Sequence, residues 1–275
     1  MAAARNADLV VFVGGLTARV EGEEMKLEVP GFAGGDRTSL DLPAPQQKLL
    51  ERVAAVGKPV VLVLMNGSAL AVNWADANLP AIVEAWYPGA EGGHAVAQLI
   101  AGDFNPAGRL PVTFYKSADQ LPAFGDYRMT NRTYRYFGGE ALYPFGHGLS
   151  YTTFAYANLK ADPTGVTVDV TNTGGMDGDE VVQLYLTHAG KAGQPIRSLK
   201  GFERVHLKRG ETKTVRFALD DRALSTVDDQ GVRAVRPGPV EVFVGGGQPV
   251  ARPGLKPPPG ARGSFAVTES RKLPL

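Results

Sequence analysis

The hydrophobic pattern changes its period once, near Phe154, and that change limits what this chain can fold into. Before it, short apolar runs alternate with longer amphipathic ones. Leu9 to Val13 reads as a buried strand, and Pro59 to Met65 is a continuous β-branched and apolar run that predicts a strand buried on both faces. Ala44 to Val56 places Leu49, Leu50, Val53 and Val56 at helical spacing, with Pro45 in the first turn and Gly57 as the stop. Ala81 to Trp86 predicts a third strand, and Glu91 to Ile100 a helix just after Pro88-Gly89. Met1 to Ala7 reads as the last turns of a helix entering the first strand. Strands alternating with helices predict an α/β layer with a mostly parallel sheet.

After Phe154 the period is two. Gly165 to Thr171 and Asp179 to Leu186 alternate strictly, and Lys200–Leu207, Glu211–Leu219 and Gly238–Val244 supply further short strands between turn residues. That pattern predicts an all-β sandwich. The tail from Arg252 to Gly263, rich in Pro and Gly, is expected to be irregular. Between the two patterns, Phe104 to Phe154 is crowded with Gly, Pro and aromatics, and is expected to be an ordered linker wrapping the first domain. The expected division is 1–150 for the α/β domain and 151–275 for the sandwich.

Several function classes drop out. A net charge of +1 implies no basic face, so nucleic acid is not an expected partner. Without cysteine there are no disulfides and no thiolate metal sites. His94, His147, His188 and His206 include no pair at ligand spacing, so neither a metal nor a cofactor is expected. Gly89-Ala-Glu-Gly-Gly93 lacks the Lys and Ser/Thr of a phosphate loop and is expected to be a tight turn before a helix. No apolar run approaches the roughly 18 residues of a membrane span, so no membrane is expected. No signal-peptide core precedes Asp8, and the compartment stays open, periplasmic or secreted for a full-length parent included.

The chemistry-bearing feature is Val20-Glu-Gly-Glu-Glu-Met25, followed by Gly34-Gly-Asp-Arg37. Glu21, Glu23 and Glu24 lie beyond the exit of the first strand, where an open α/β sheet presents its chemistry. Carboxylates this dense repel one another and raise the pKa of at least one, as a general acid requires. The competing reading is a solvated acidic loop.

Six stretches carry a likeness to a known family: VFVGGLTARVEGEEM, GFAGGDRTSLDLP, VVLVLMNGSAL, EAWYPGAEGGHAVAQLIAGDFNPAGRLPVTFY, TYRYFGGEALYPFGHGLSYTTF and VTNTGGMDGDEVVQLYL. In order and covering most of the chain, they resemble the C-terminal part of glycoside hydrolase family 3, the retaining β-glucosidases and β-xylosidases. The EGEEM form of the loop looks more like the β-xylosidase branch. The resemblance implies a whole enzyme of three domains: a (β/α)₈ barrel with a nucleophilic aspartate, an α/β sandwich with the acid/base glutamate, and a fibronectin-III-like domain. By the resemblance, this chain holds the second, without its first βα unit, and the third. Nothing in it matches the barrel, which is expected as a further domain or a partner subunit, and the chain alone is expected to be inactive.

The family's acid/base lies in a Glu-x-Glu element before an Asp-Arg pair. That places Glu23 as acid/base, with Glu21 and Glu24 as alternatives, because an insertion separates the element from Asp36-Arg37. Asp36 and Arg37 are candidates for substrate contact, or for pinning the loop through ion pairing and backbone bonds. Trp86, Tyr87, Tyr134, Tyr136 and Phe137 are candidates for stacking on a sugar, or for packing the linker. The implied substrates are β-linked oligosaccharides or aryl glycosides, with glucose and xylose both open. The reading of a different class is a non-catalytic accessory module binding carbohydrate or protein, which would have no reason to hold Glu21, Glu23, Asp36 and Arg37 together.

Overall fold

The computed structural model describes residues 1–17, 19, 25–26, 29–188 and 194–274. The chain divides into two compact units. Met1–Asp103, Phe114–Leu121 and Glu140–Tyr143 form one, and Phe104–Thr113, Pro122–Gly139 and Pro144–Leu275 the other. The first comprises α1 (Ala2–Asn6), β1 (Val10–Gly15), β2 (Phe32–Ala33), β3 (Asp36–Arg37), α2 (Ala44–Ala54), β4 (Val60–Met65), α3 (Asn73–Asn78), β5 (Ala81–Glu84) and α4 (Gly92–Ala101). Its main sheet has the order β1-β4-β5, all parallel.

β4 is central, with Val60, Leu62, Val63 and Leu64 buried, as its continuous apolar run predicts. β1 is an edge strand, and here the expectation of a buried strand is corrected. Val11 and Val13 are 44% and 59% exposed, because alternate side chains of a strand leave on opposite faces. α2 buries Leu50 and Val53. α3 was not legible in sequence: six residues carry too little periodicity, and it is placed by the burial of Ala75 and by the Tyr143 hydroxyl, which donates to Asp76 Oδ1 at 2.7 Å.

The second unit contains α5 (Thr133–Tyr136), β6 (Phe154–Asp162), β7 (Gly165–Asn172), β8 (Gly178–His188), β9 (Ser198–Leu207), β10 (Thr212–Ala218), α6 (Asp221–Leu224), β11 (Thr226–Val227), β12 (Arg233–Val235), β13 (Gly238–Gly245), β14 (Gly260–Val267) and β15 (Arg271–Lys272). Antiparallel sheets β10-β7-β6 and β14-β13-β8-β9 contribute the core, with β11-β12-β15 as a small third sheet. Val166, Val168 and Val170 of β7 pack with Val182, Leu184 and Leu186 of β8 and Val240, Val242 and Val244 of β13. This is the sandwich that the period-two pattern predicts.

Three expectations change. β14 falls partly in the tail expected to be irregular; it pairs with β13 from Gly260 to Val267, so its partner supplies the order that its own composition does not. β6 carries no strict alternation in sequence, because its register shifts between Ala157 and Lys160, where Asn158 adopts φ 53°. One helical turn, α6, interrupts the strands, capped by Asp220, whose side chain accepts from the Ala223 N–H.

The aromatic segment expected to wrap the first domain belongs mostly to the second unit. β8 shows why. Its outward residues Gln183 and Tyr185 are buried too, which a strand facing water would not show. Gln183 Nε2 donates to Gly146 O at 3.2 Å, and Tyr134 lies edge-on to Tyr185 at 6.2 Å. Among the described residues, no helix is long and apolar enough to cross a membrane.

Candidate active site

The C-terminal edge of the parallel sheet gathers the polar groups of the first unit. The chain leaves β1 through Gly15 at φ 129°, where a Cβ would collide with Met65 O. Gly15 N–H donates to Gln46 Oε1 at 2.9 Å, Gln46 Nε2 donates back to Gly15 O at 2.7 Å, and Leu16 N–H donates to Met65 O at 2.8 Å. Gly15 and Leu16, at the exit of β1, are therefore clamped between α2 and the end of β4. Glu21, Glu23 and Glu24 themselves lie outside the described residues.

The chain returns through the β2–β3 hairpin, in which Ala33 pairs with Asp36 and Phe32 with Arg37. Gly34 and Gly35 form its turn at φ 61° and 90°, the positive pair that a two-residue loop demands. Arg37 then leaves the hairpin for the β4 exit. Its Nε donates to Ser39 O at 3.1 Å, and its Nη1 donates to Ser68 Oγ at 2.9 Å and Ala69 O at 2.7 Å. Asp36 is exposed. The two members of the pair thus differ: Arg37 ties its loop to Ser68 and Ala69, while Asp36 faces solvent.

Asn66, fully buried at the end of β4, donates from Nδ2 to Ser68 O at 2.9 Å and to Glu84 Oε2 at 3.2 Å. Glu84, the last residue of β5, also accepts the Trp86 N–H on Oε1 at 3.1 Å. Burial pushes the Glu84 carboxyl up to about 7, against the opposing pull of those two donors. Trp86 adopts φ 53°, a strained left-handed value for a non-glycine residue, and its ring meets Phe114 edge-on at 6.0 Å. An unbroken chain of hydrogen bonds runs from Trp86 through Glu84, Asn66 and Ser68 to Arg37.

Sequence reasoning missed Glu84 and Asn66. The sequence pattern places Glu84 within an apolar strand, Ala81 to Trp86, and gives Asn66 no role. The available signal was an ionisable residue inside a run otherwise fit for burial. The aromatic candidates divide. Trp86 packs on Phe114, and Tyr87 is half exposed. Tyr134 stacks on Phe145 at 4.2 Å and accepts the Leu199 N–H at 3.1 Å, while Phe137 is buried, so these two hold the second unit together. The turn expected around Gly89 is present, with Gly92 N–H donating to Gly89 O at 3.2 Å.

With this geometry in place, comparisons with known proteins are specific. Residues 1–151 match the glycosyl hydrolase family 3 C-terminal domain, and residues 180–248 match a fibronectin type III-like domain. A xylan 1,4-beta-xylosidase of Xylanibacter ruminicola is 45% identical over 243 residues, covering 86% of this chain and 28% of that protein. A periplasmic beta-glucosidase of Salmonella typhimurium is 40% identical over 264 residues, covering 88% of this chain and 33% of that one. Among solved structures, a beta-glucosidase from Kluyveromyces marxianus superposes with a TM-score of 0.83 at 30% identity, covering 98% of this chain and 33% of that chain. The chain spans about a third of the length of these relatives.

Proposed function

The chain belongs to glycoside hydrolase family 3, and on that premise we propose that it is the acid/base-bearing C-terminal part of a retaining β-glycosidase acting on β-glucosidic or β-xylosidic bonds. The observation that carries the proposal is the double anchor. One flank of the acidic segment is held at Met65 through Leu16, and the other at Ser68 and Ala69 through Arg37. A merely solvated loop has no need of two fixed ends at one sheet edge.

In this reading Glu23 protonates the leaving oxygen and then deprotonates water, with Glu21 and Glu24 as alternatives. A carboxylate on a (β/α)₈ barrel attacks the anomeric carbon, and retention requires the two carboxyl groups to stand about 5–5.5 Å apart. Arg37 positions the loop, and exposed Asp36 is available to a sugar hydroxyl. The substrates are β-linked oligosaccharides or aryl glycosides.

The chain alone is expected to hydrolyse neither an aryl β-glucoside nor an aryl β-xyloside. Supplied with the matching barrel, it should turn over with retained configuration. Glu23→Gln should then lower the rate by about 10²–10⁴-fold on substrates with poor leaving groups, and less on activated aryl glycosides. Azide should rescue turnover of the glycosyl-enzyme. The same profile from Glu21→Gln or Glu24→Gln moves the assignment to that residue. A barrel-supplied chain that stays inactive hands the protein to the accessory-module reading.

A further inference from the structure

The second unit holds a cavity of about 560 Å³ whose wall is built from α5, the start of β9, α6 and β12. Besides exposed Arg222 of α6, three partly buried cationic side chains line it from three different elements: Arg135 of α5, Lys200 of β9 and Arg233 of β12. Lys200 is there because β9 carries a bulge. Leu184 of β8 pairs with Gly201 and Tyr185 with Leu199, which leaves Lys200 as the extra residue. Bulges of this kind re-aim a side chain.

Among the described residues, none of the three cations has a carboxylate at ion-pair distance. Arg135 Nε and Arg233 Nε are buried without a hydrogen-bond partner. Arg135 lies over the Tyr136 ring at 5.6 Å, and Arg233 Nη1 donates to Ser225 Oγ at 3.2 Å. The acid on the wall, Asp220, caps α6 by accepting the Ala223 N–H at 2.7 Å. His188 and Arg222 complete the ionisable lining apart from the tyrosines. Burial, and then repulsion from Arg135 and Arg233, push the Lys200 amine down to about 8, with Asp220 opposing.

Like charges brought together out of water are unfavourable unless a counter-charge joins them. Guanidinium forks match the oxygens of a phosphoryl group, and a single carboxylate would offset only one of three charges. We propose that this cavity binds a multiply charged oxyanion, a phosphoryl or sulfuryl group, held by Arg135, Lys200 and Arg233. The volume exceeds that of a bare ion and lies within the range of small-molecule sites, so the oxyanion can arrive on an organic carrier, flanked by Tyr134 and Tyr136.

The test uses the full chain titrated calorimetrically with pyrophosphate, inorganic phosphate, sulfate and glucose 6-phosphate at constant ionic strength, with acetate as control. Saturable binding of at least one of the four oxyanions, with acetate far weaker, is expected. Glucose 6-phosphate binding more tightly than phosphate identifies an organic carrier, and equal binding identifies the free oxyanion; both support the site. Arg233→Gln and Lys200→Met should each weaken binding by about tenfold or more. Asp220→Asn keeps the capping oxygen but removes the negative charge facing Lys200, so it should tighten binding. A gain cannot arise from misfolding, so this variant decides the matter even if an arginine or lysine variant fails to fold. Binding should also strengthen from pH 9 to pH 7 as Lys200 takes up its proton. No saturable binding at millimolar concentrations, or binding that none of the three substitutions alters, overturns the proposal.

Discussion

Glu84 receives two hydrogen bonds that favour its charged form, yet burial outweighs them and holds the carboxyl near 7 rather than 4.5. Between those values the folded chain keeps a proton that the unfolded chain has lost. Stability from this group is therefore present at low pH and falls as pH rises through that window. Glu84→Gln removes the titration. The variant is expected to match the parent near pH 5 and to exceed it by up to about 2 kcal/mol near pH 8, once residual solvent screening is allowed for. Urea unfolding at the two pH values checks this, and parallel pH profiles for the two proteins would contradict it. None of this was legible in the string Ala-Ile-Val-Glu-Ala-Trp, because a carboxyl's pKa depends on neighbours such as Asn66, eighteen positions away. Asp36 and Arg37 were legible as a pair. Their opposite fates were not, since the Arg37 partners Ser68 and Ala69 belong to another loop.

The elements with a clear period appeared where the sequence put them. α2 runs from Ala44 to Ala54, β4 from Val60 to Met65, and β7 from Gly165 to Asn172. Elements held by partners did not, and β14 and α3 are the cases in point. The joint between β1 and the acidic segment depends on one backbone position. Gly15→Ala places a Cβ against Met65 O at a φ of 129°, and is expected to lower stability by about 2 kcal/mol or more. Gly93→Ala, in the exposed first turn of α4 with open space around its Cβ, should be neutral or stabilise by up to about 1 kcal/mol. Thermal melts of the pair separate the two effects. Equal melts would mean that the β1 exit relaxes freely and that the clamp on the acidic segment is weaker than its hydrogen bonds indicate.

At the scale of the whole molecule, the second unit gathers chain segments through contacts between residues far apart in sequence. Arg109, from the segment before the sandwich, bonds Glu180 at 2.9 Å with both side chains nearly inaccessible, and donates to Gly246 O at 2.9 Å. Tyr156 donates its hydroxyl to the same carboxylate at 2.7 Å. Burial raises the Glu180 pKa, with Arg109 opposing. Arg109→Met strands a buried carboxylate and should destabilise the chain by about 3–5 kcal/mol, whereas adding Glu180→Met should recover most of that loss. A double variant no better than the single one would show that Arg109 acts by packing alone. The two-part architecture, the order of the long elements and the family are all legible in the amino acids alone. Each of those is written in local periods or in contiguous motifs, which survive in one dimension. It takes the three-dimensional fold to send the aromatic segment mostly to the second unit, to strip water from Glu84 and Glu180, and to bring Arg135, Lys200 and Arg233 around one cavity. Desolvation and Coulomb repulsion act over ångströms, between residues that the chain order holds far apart.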